Sequence, residues 1–179
     1  MSFRLEQKNR KVNGVHPNHI MNFDLSSLLP NPLHPAVVHF PIALLLTAAF
    51  FDAACLVFRR YLWIDRTATA LLTLGGIALG AAYLTGERAA EAAAPVTGIA
   101  QGILADHEDL ALLTLWATGI ALALRIFVTW LGRDDLEVHL GIFRLAALVA
   151  VFGAAALMVL TAYHGGQLVY DHGIGVSLS

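Results

Sequence analysis

The feature that most constrains this chain is a set of four long runs of apolar residues. The hydrocarbon core of a bilayer is about 30 Å thick, and a helix of about 20 apolar residues crosses it. Hydrophobic residues make up 58% of the sequence and charged residues only 13%. Soluble domains average about 45–50% apolar and about 25% charged residues. We therefore predict an integral membrane protein.

The predicted spans are separated by short polar loops. They cover residues 35–58, 67–85, 109–131 and 140–163, the last continuing toward residue 170. The alternating ten-residue segments of a membrane barrel do not occur in the sequence, so strands are not expected. We predict an all-α fold, an integral membrane four-helix bundle at residues 34–179 with a flexible N-terminal polar arm at residues 1–33. No convincing internal repeat is evident.

Local features predict how the helices begin, bend and pack. Pro41 leaves the Val37 carbonyl without its usual partner, so the first span should bend there. Gly76 and Gly80 form a small-xxx-small pair in the second span, which predicts the close approach of a neighbouring backbone. Asp106 precedes the third span. We interpret it as a helix N-cap in preference to a carboxylate that orients a histidine.

The charges of the loops predict the orientation in the membrane. Arg59, Arg60 and Arg66 lie between the first two spans, and Arg133 follows the third span. The loop between the second and third spans is rich in acidic residues. Because basic residues mark the cytoplasmic side, we expect both termini to face outward. Four basic residues in the N-terminal arm oppose this orientation.

Histidines gather at one end of the predicted bundle. The sequence has eight of them, at positions 16, 19, 34, 39, 107, 139, 164 and 172. The four-span topology brings five into one outer layer: His34, His39, His107, His164 and His172. His139 lies at the opposite face.

This histidine layer predicts a cofactor site. Neutral imidazole is a common ligand for haem iron, copper and zinc, and a b-type haem takes two axial imidazoles from facing helices. We predict His39 and His107 as the axial pair. We assign His34 and His172 either to a second axial pair, so that one or two haems b are bound, or to a supporting role.

Glycines at the same depth favour a haem, because a porphyrin needs small residues beside it. They are Gly86, Gly165, Gly166 and Gly173. His34 and His39 are five residues apart, about 140° around an ideal helix, so we do not expect both to bind one metal.

Two alternatives to haem stay open. The same four histidines (34, 39, 107 and 172) could hold non-haem copper, zinc or iron, although the sequence has no HExxH or CxxC motif and no histidine pair at i,i+4. Alternatively, the histidines only make hydrogen bonds at helix ends. The chain would then be a cofactor-free accessory subunit of a larger membrane complex.

Two ionisable residues fall inside predicted spans, Asp52 in the first and Arg125 in the third. Such residues are costly in lipid and are usually paired or functional. We predict that Asp52 pairs with Arg125 or with Arg144 as a clamp between helices. The alternative is a proton or quinone site in the cytoplasmic half.

These motifs together resemble a known family. The segments HPAVVHFPIALL (His34–Leu45) and GGQLVYDHGIGV (Gly165–Val176), with Asp52 and His107, resemble the bacterial membrane family of domain of unknown function 2231 over residues 33–177. The family's pattern falls on His34, Pro35, His39, Pro41, Asp52, His107, Gly165, Gly166, Tyr170, His172 and Gly173. His164 lies outside that pattern.

The resemblance implies a role in membrane electron transfer. Relatives are sometimes fused to Rieske iron–sulfur or c-type cytochrome domains, which implies a bacterial inner membrane and a periplasmic donor, other redox subunits or quinone as partners. Cys55, the single cysteine, allows neither an iron–sulfur cluster nor a c-type haem attachment here. No nucleophile–base pair, phosphate loop or nucleic-acid patch is evident. We therefore expect an electron carrier or subunit rather than a stand-alone enzyme.

Overall fold

The structure is a computed structural model that describes residues 33–58, 61–92, 96, 98–131 and 137–174, with the side chains of residues 92, 130–131 and 137–140 left out of that description. Its elements are α1 (His34–Val37), α2 (His39–Val57), α3 (Leu62–Ala92), α4 (Ile99–Leu131) and α5 (Glu137–Tyr170). The described residues contain no strand, so the all-α prediction is confirmed. The predicted N-terminal arm lies outside the described residues, except for Leu33.

Among the described residues, four helical segments are long and apolar enough to cross a membrane, as predicted. They are His34–Val57, formed by α1 and α2, then Leu62–Glu91, Ile99–Thr129 and Gly141–Tyr170. We call these the first to fourth spans. Large apolar side chains such as Phe50, Ile77 and Trp116 are exposed on their outer faces, as expected of helices that contact lipid on one side and one another on the other.

The helix of the third span, α4, begins well before its predicted start. It starts at Ile99, directly after Gly98, whose φ of 70° suits glycine. Asp106 is therefore an exposed residue inside the helix, and the prediction that it caps the helix is wrong. The polar run Asp106–Asp109 interrupts the apolar pattern of this helix, although the alanine, leucine and glutamine residues before it favour helix.

The first span is interrupted where the proline predicts it. Val38 separates α1 from α2. Pro41 has no N–H to donate to the Val37 carbonyl, which removes one rung of the helix at this point. The side chain of Pro41 is fully buried, so the proline also contributes to the core of the bundle.

The glycine of the second span with the tightest contact, Gly75, lies one residue before the predicted glycine pair. A Cβ on Gly75 would lie 2.8 Å from Cδ2 of Leu45 in the first span. At Gly76 the nearest atom would be Cγ2 of Thr118 at 3.5 Å, and at Gly80 nothing lies within 4 Å. The prediction was wrong in register, because Gly75 and not Gly80 falls on the buried face of the second span.

The first and third spans bury equivalent positions. Buried residues of the first span are Pro41, Leu45, Ala48, Ala49 and Asp52, and those of the third span are Thr114, Thr118, Ala121 and Arg125. These residues form four pairs whose numbers differ by 73: Pro41 and Thr114, Leu45 and Thr118, Ala48 and Ala121, and Asp52 and Arg125. The two helices therefore present the same face to the core.

The second and fourth spans match in the same way. Residues 68, 72, 75, 79 and 82 of the second span are buried, and so are residues 147, 151, 154, 158 and 161 of the fourth. Each pair differs by 79, as 147 exceeds 68. The bundle thus consists of two helical hairpins that repeat one burial pattern. The repeat lies in buried positions and not in residue identities, which explains why the sequence does not show it.

Candidate functional site

Two histidines from different hairpins meet at one end of the bundle. His34 is the first residue of the first span, and His107 lies in the third turn of α4. Their ring centroids are 6.4 Å apart, and the ring planes are inclined at 79°. Both side chains are half-buried. The positions differ by 73, as do the buried positions of these spans, so the two rings are structural equivalents.

Each of these rings is hydrogen-bonded to a backbone carbonyl of the span that follows its own. Nδ1 of His34 lies 3.0 Å from the carbonyl oxygen of Ala82 and 3.3 Å from Oγ1 of Thr85. Nδ1 of His107 lies 2.9 Å from the carbonyl oxygen of Thr161. A carbonyl oxygen only accepts, so a neutral ring must carry its hydrogen on Nδ1 and donate it. The lone pair of each ring then lies on Nε2.

The Nε2 atoms are left available for a ligand. Within the described part of the chain, neither Nε2 has a hydrogen-bond partner. A histidine whose Nδ1–H is fixed by a carbonyl and whose Nε2 is free is the usual form of a metal-ligating imidazole. The pair therefore presents two oriented nitrogen donors from two different hairpins.

A glycine borders each ring. A Cβ on Gly86 would lie 3.0 Å from Cε1 of His34, and a Cβ on Gly165 would lie 3.0 Å from Cε1 of His107. Each glycine follows its accepting residue, Ala82 or Thr161, by four positions and so lies one turn further along the same helix face. A Cβ at either position would require the imidazole to move by a few tenths of an ångström relative to its accepting carbonyl.

The remaining predicted site residues lie apart from this pair. His39 and His172 are exposed, on α2 and just after α5 respectively. Nothing lies within 4 Å of a Cβ built on Gly166. The structure thus brings His34, and not His39, to His107.

His164 also stays outside the pair. Nδ1 of His164 lies 2.9 Å from the Leu160 carbonyl oxygen of its own helix. The side chain of His139 lies outside the described residues, as do His16 and His19. No cluster of three or more His, Cys, Asp or Glu residues suited to a metal ion occurs among the residues that the structure describes.

A second polar site lies at the opposite end of the spans. Arg125 donates from Nη1 to Oδ1 of Asp52. Its Nη2 lies 2.9 Å from Oδ1 and 3.0 Å from the carbonyl oxygen of Asp65, and its Nε lies 2.9 Å from Oγ1 of Thr69. The predicted Asp52–Arg125 pair is confirmed. Arg144, the alternative partner, is exposed.

Sequence reasoning missed Asp65 and Thr69 as partners of Arg125. The predicted second span began at residue 67, which left Asp65 in a loop, whereas the helix begins at Leu62. The charges around Asp65 suggested a loop, although an acidic residue is favourable in the first turn of a helix.

The two polar sites occupy matching places in the two hairpins. His34 precedes Asp52 by 18 residues, and His107 precedes Arg125 by the same number. Eighteen residues make five helical turns and about 27 Å, so each span carries its two polar groups on one face near opposite membrane boundaries. This equal spacing was the sequence signal that could have identified His34, and not His39, as the equivalent of His107.

The family comparison covers both sites. A family described as "Predicted membrane protein (DUF2231)" matches residues 30–178. The chain belongs to this family. The resemblance that the end motifs predicted is therefore confirmed, and the match includes both hairpins. No curated protein and no solved structure matches the sequence.

Proposed function

We propose that this protein is a b-type haem-binding electron-transfer protein of the membrane, in which His34 and His107 would hold the haem. One observation carries the proposal. Both imidazoles are fixed through Nδ1 to a backbone carbonyl, and their rings meet across the two hairpins with Nε2 unbonded among the described residues.

The spacing of the rings supports ligation of one metal by both. A metal bound at about 2 Å to one nitrogen of each imidazole places the two ring centroids about 6 Å apart. The observed separation is 6.4 Å. The carbonyls of Ala82 and Thr161 would hold the two rings at the observed 79° between their planes when a metal is bound. Bound haem would supply one-electron transfer at this site.

The surrounding residues have defined roles in this proposal. The carbonyls of Ala82 and Thr161 fix the ring orientation and make Nε2 a better donor. Gly86 and Gly165 keep side chains away from the ring edges. The hydroxyl of Thr85 provides a second hydrogen-bond partner to His34 alone, so the two ligands would differ slightly in basicity.

We place the histidine end on the periplasmic side of a bacterial inner membrane, with both termini outward. The exposed arginines Arg66 and Arg144 lie toward the opposite end, whereas the histidine end carries one exposed arginine, Arg88, with exposed Glu87, Glu108 and Asp109. This charge distribution follows the positive-inside rule. The partners in this proposal are a periplasmic donor, other membrane redox subunits or quinone.

An absorption spectrum of the protein purified in detergent tests the proposal. We expect a Soret band that shifts on addition of dithionite, with haem and protein in stoichiometric amounts. A colourless protein with stoichiometric copper, zinc or iron by elemental analysis would favour the non-haem alternative. A colourless protein without metal would favour an accessory subunit, and either result would overturn the haem proposal.

A further inference from the structure

An apolar groove opens to lipid between the first and fourth spans. Its volume is about 460 Å³, within the range of about 300–1,000 Å³ that is typical of ligand pockets. Buried Ala49 and Ala155 form its floor, and exposed Phe50 and Phe152 lie beside them. Every residue that lines the groove is apolar. The groove itself is therefore suited to a hydrocarbon chain.

The groove begins near the middle of the membrane and extends toward the Arg125 end. On the first span it is lined from Leu46, at the middle of that span, to Ala53. On the fourth span it is lined by residues 152–159, and Ala155 lies at the middle of that span. The groove is therefore placed to accept an acyl chain from the leaflet at the Arg125 end.

An exposed arginine lies at the depth of the headgroups of that leaflet. Arg144 precedes Ala155 by 11 residues, which is a rise of about 16 Å along the helix. Half of the hydrocarbon core of a bilayer is about 15 Å. Arg144 therefore lies at the boundary between hydrocarbon and headgroups. Its guanidinium has no hydrogen-bond or ion-pair partner in the described part of the chain, whereas that of Arg125 is bonded to two carboxylates.

The repeat of the two hairpins places Arg144 at the same seam as the groove. Position 144 follows position 65 by 79 residues, which is the offset of the buried positions of these two spans. Asp65 lies at the seam between the second and third spans, where its Oδ1 is 2.9 Å from Nη2 of Arg125. Arg144 is therefore expected at the seam between the fourth and first spans. Asp52 of the first span donates no site to it here, since its Oδ1 accepts from Arg125 and Arg144 is exposed.

The equivalent seam between the second and third spans lacks both features. At the positions of Arg144 and the two phenylalanines it carries Asp65, Thr73 and Ala123. A carboxylate repels a phosphate, and the smaller side chains offer less apolar surface to an acyl chain. The combination of an apolar groove with an exposed cation therefore belongs to one seam and is not a consequence of the repeat.

A phospholipid with a negatively charged headgroup matches this combination. Its acyl chain is the hydrocarbon that the groove can accept. Its phosphate is an anion that a guanidinium binds with two parallel hydrogen bonds. Anionic lipids are attracted to basic residues at the membrane boundary, so the charge of Arg144 favours them over lipids without net charge.

We propose that the groove between the first and fourth spans and Arg144 together bind one anionic phospholipid, with an acyl chain along the groove and the phosphate at the guanidinium. The bound lipid covers the seam between the two hairpins and so stabilises their packing against each other. The site lies toward the opposite end from His34 and His107 and does not require haem.

Thermal unfolding in the presence of two lipids tests the headgroup contact. The full-length protein, purified in detergent, is mixed with phosphatidylglycerol or with phosphatidylcholine that has the same acyl chains. We expect phosphatidylglycerol to raise the midpoint of unfolding more than phosphatidylcholine does, and Arg144→Gln to remove this difference. Arg66→Gln, at an exposed arginine of the second span toward the same end, is the matched control and should keep the difference.

Lipid retention in native mass spectrometry tests the groove. We expect the wild type to retain one phosphatidylglycerol, and Ala156→Leu to lose it, because the larger side chain would occupy the groove that Ala156 lines. Ala70→Leu, at an exposed position of the second span, is the matched control and should retain the lipid.

Four results would overturn the proposal. Equal midpoints of the wild type in the two lipids would show no preference for an anionic headgroup, and an equal response of both arginine variants would show only general attraction. A loss of stability in Arg144→Gln that is the same in both lipids would show that Arg144 pairs with a carboxylate of the protein. Dimers without bound lipid would show that a second copy covers the groove. Haem absorbance enters neither measurement, so this proposal and the haem proposal can fail independently.

Discussion

The two ends of the bundle use equivalent positions for opposite chemistry. At one end, His34 and His107 are identical residues whose Nδ1 atoms are bonded to carbonyls. At the other, Asp52 and Arg125 are complementary charges that neutralise each other. The guanidinium uses Nε, Nη1 and Nη2 on protein oxygens. At the first end, the two Nε2 atoms have no partner among the described residues. At the second, the guanidinium makes four hydrogen bonds to protein oxygens.

This difference suits the histidine end to binding a ligand and the arginine end to holding helices together. An imidazole pair with free Nε2 atoms gains its full set of bonds only when something binds there. A guanidinium bonded to Asp52, Asp65 and Thr69 connects three spans without any ligand. The histidine end should therefore determine cofactor content, and the arginine end should determine stability.

The largest expected effect is from Arg125→Leu. This change leaves the buried carboxylate of Asp52 without its partner, and breaking a buried pair costs about 3–5 kcal/mol. We expect a strong loss of stability in thermal unfolding in detergent. Arg144→Leu, at an exposed position of the neighbouring span, is the matched control and should unfold close to the wild type. Equal losses in both variants would show that Arg125 is not the clamp.

A smaller effect is expected at the glycines beside the rings. Gly165→Ala places a methyl group 3.0 Å from Cε1 of His107, and overpacking of this kind costs about 1–3 kcal/mol. We expect weaker haem retention on dilution, with the helix content in circular dichroism unchanged. Gly166→Ala is the matched control, because nothing lies within 4 Å of its Cβ position. Loss of haem from Gly166→Ala to the same extent would contradict the proposed packing.

The smallest effect should come from Thr85→Val. The hydroxyl lies 3.3 Å from Nδ1 of His34 and is the weaker of two partners for that atom. Its loss should weaken haem retention by about 1 kcal/mol or less. Thr73→Val removes a hydroxyl that bonds only its own helix carbonyl and should have no effect. A complete loss of haem in Thr85→Val would show that the carbonyl of Ala82 does not hold the ring.

The sequence predicts the spans, the histidine layer and the Asp52–Arg125 pair because these depend on long apolar runs and on the number of crossings. The histidine layer alone does not predict which histidine faces His107, since that depends on helix phase. Only the 18-residue spacing that His34–Asp52 shares with His107–Arg125 indicates it. The interruption at Val38 and the five-residue spacing leave His39 exposed and turn His34 inward. The start of α3 at Leu62 depends on packing around Arg125. The contribution of Asp65 depends on that start.

Haem content of single histidine variants tests the central claim most directly. Each variant is purified under one protocol, and the Soret absorbance per protein is compared with that of the wild type. We predict that His34→Ala and His107→Ala each lose the haem and that His39→Ala, an exposed histidine five residues from His34, retains it. Retention of haem in His34→Ala with loss in His39→Ala would contradict the account, because the ligand pair would then not be the pair of rings that meet in the bundle.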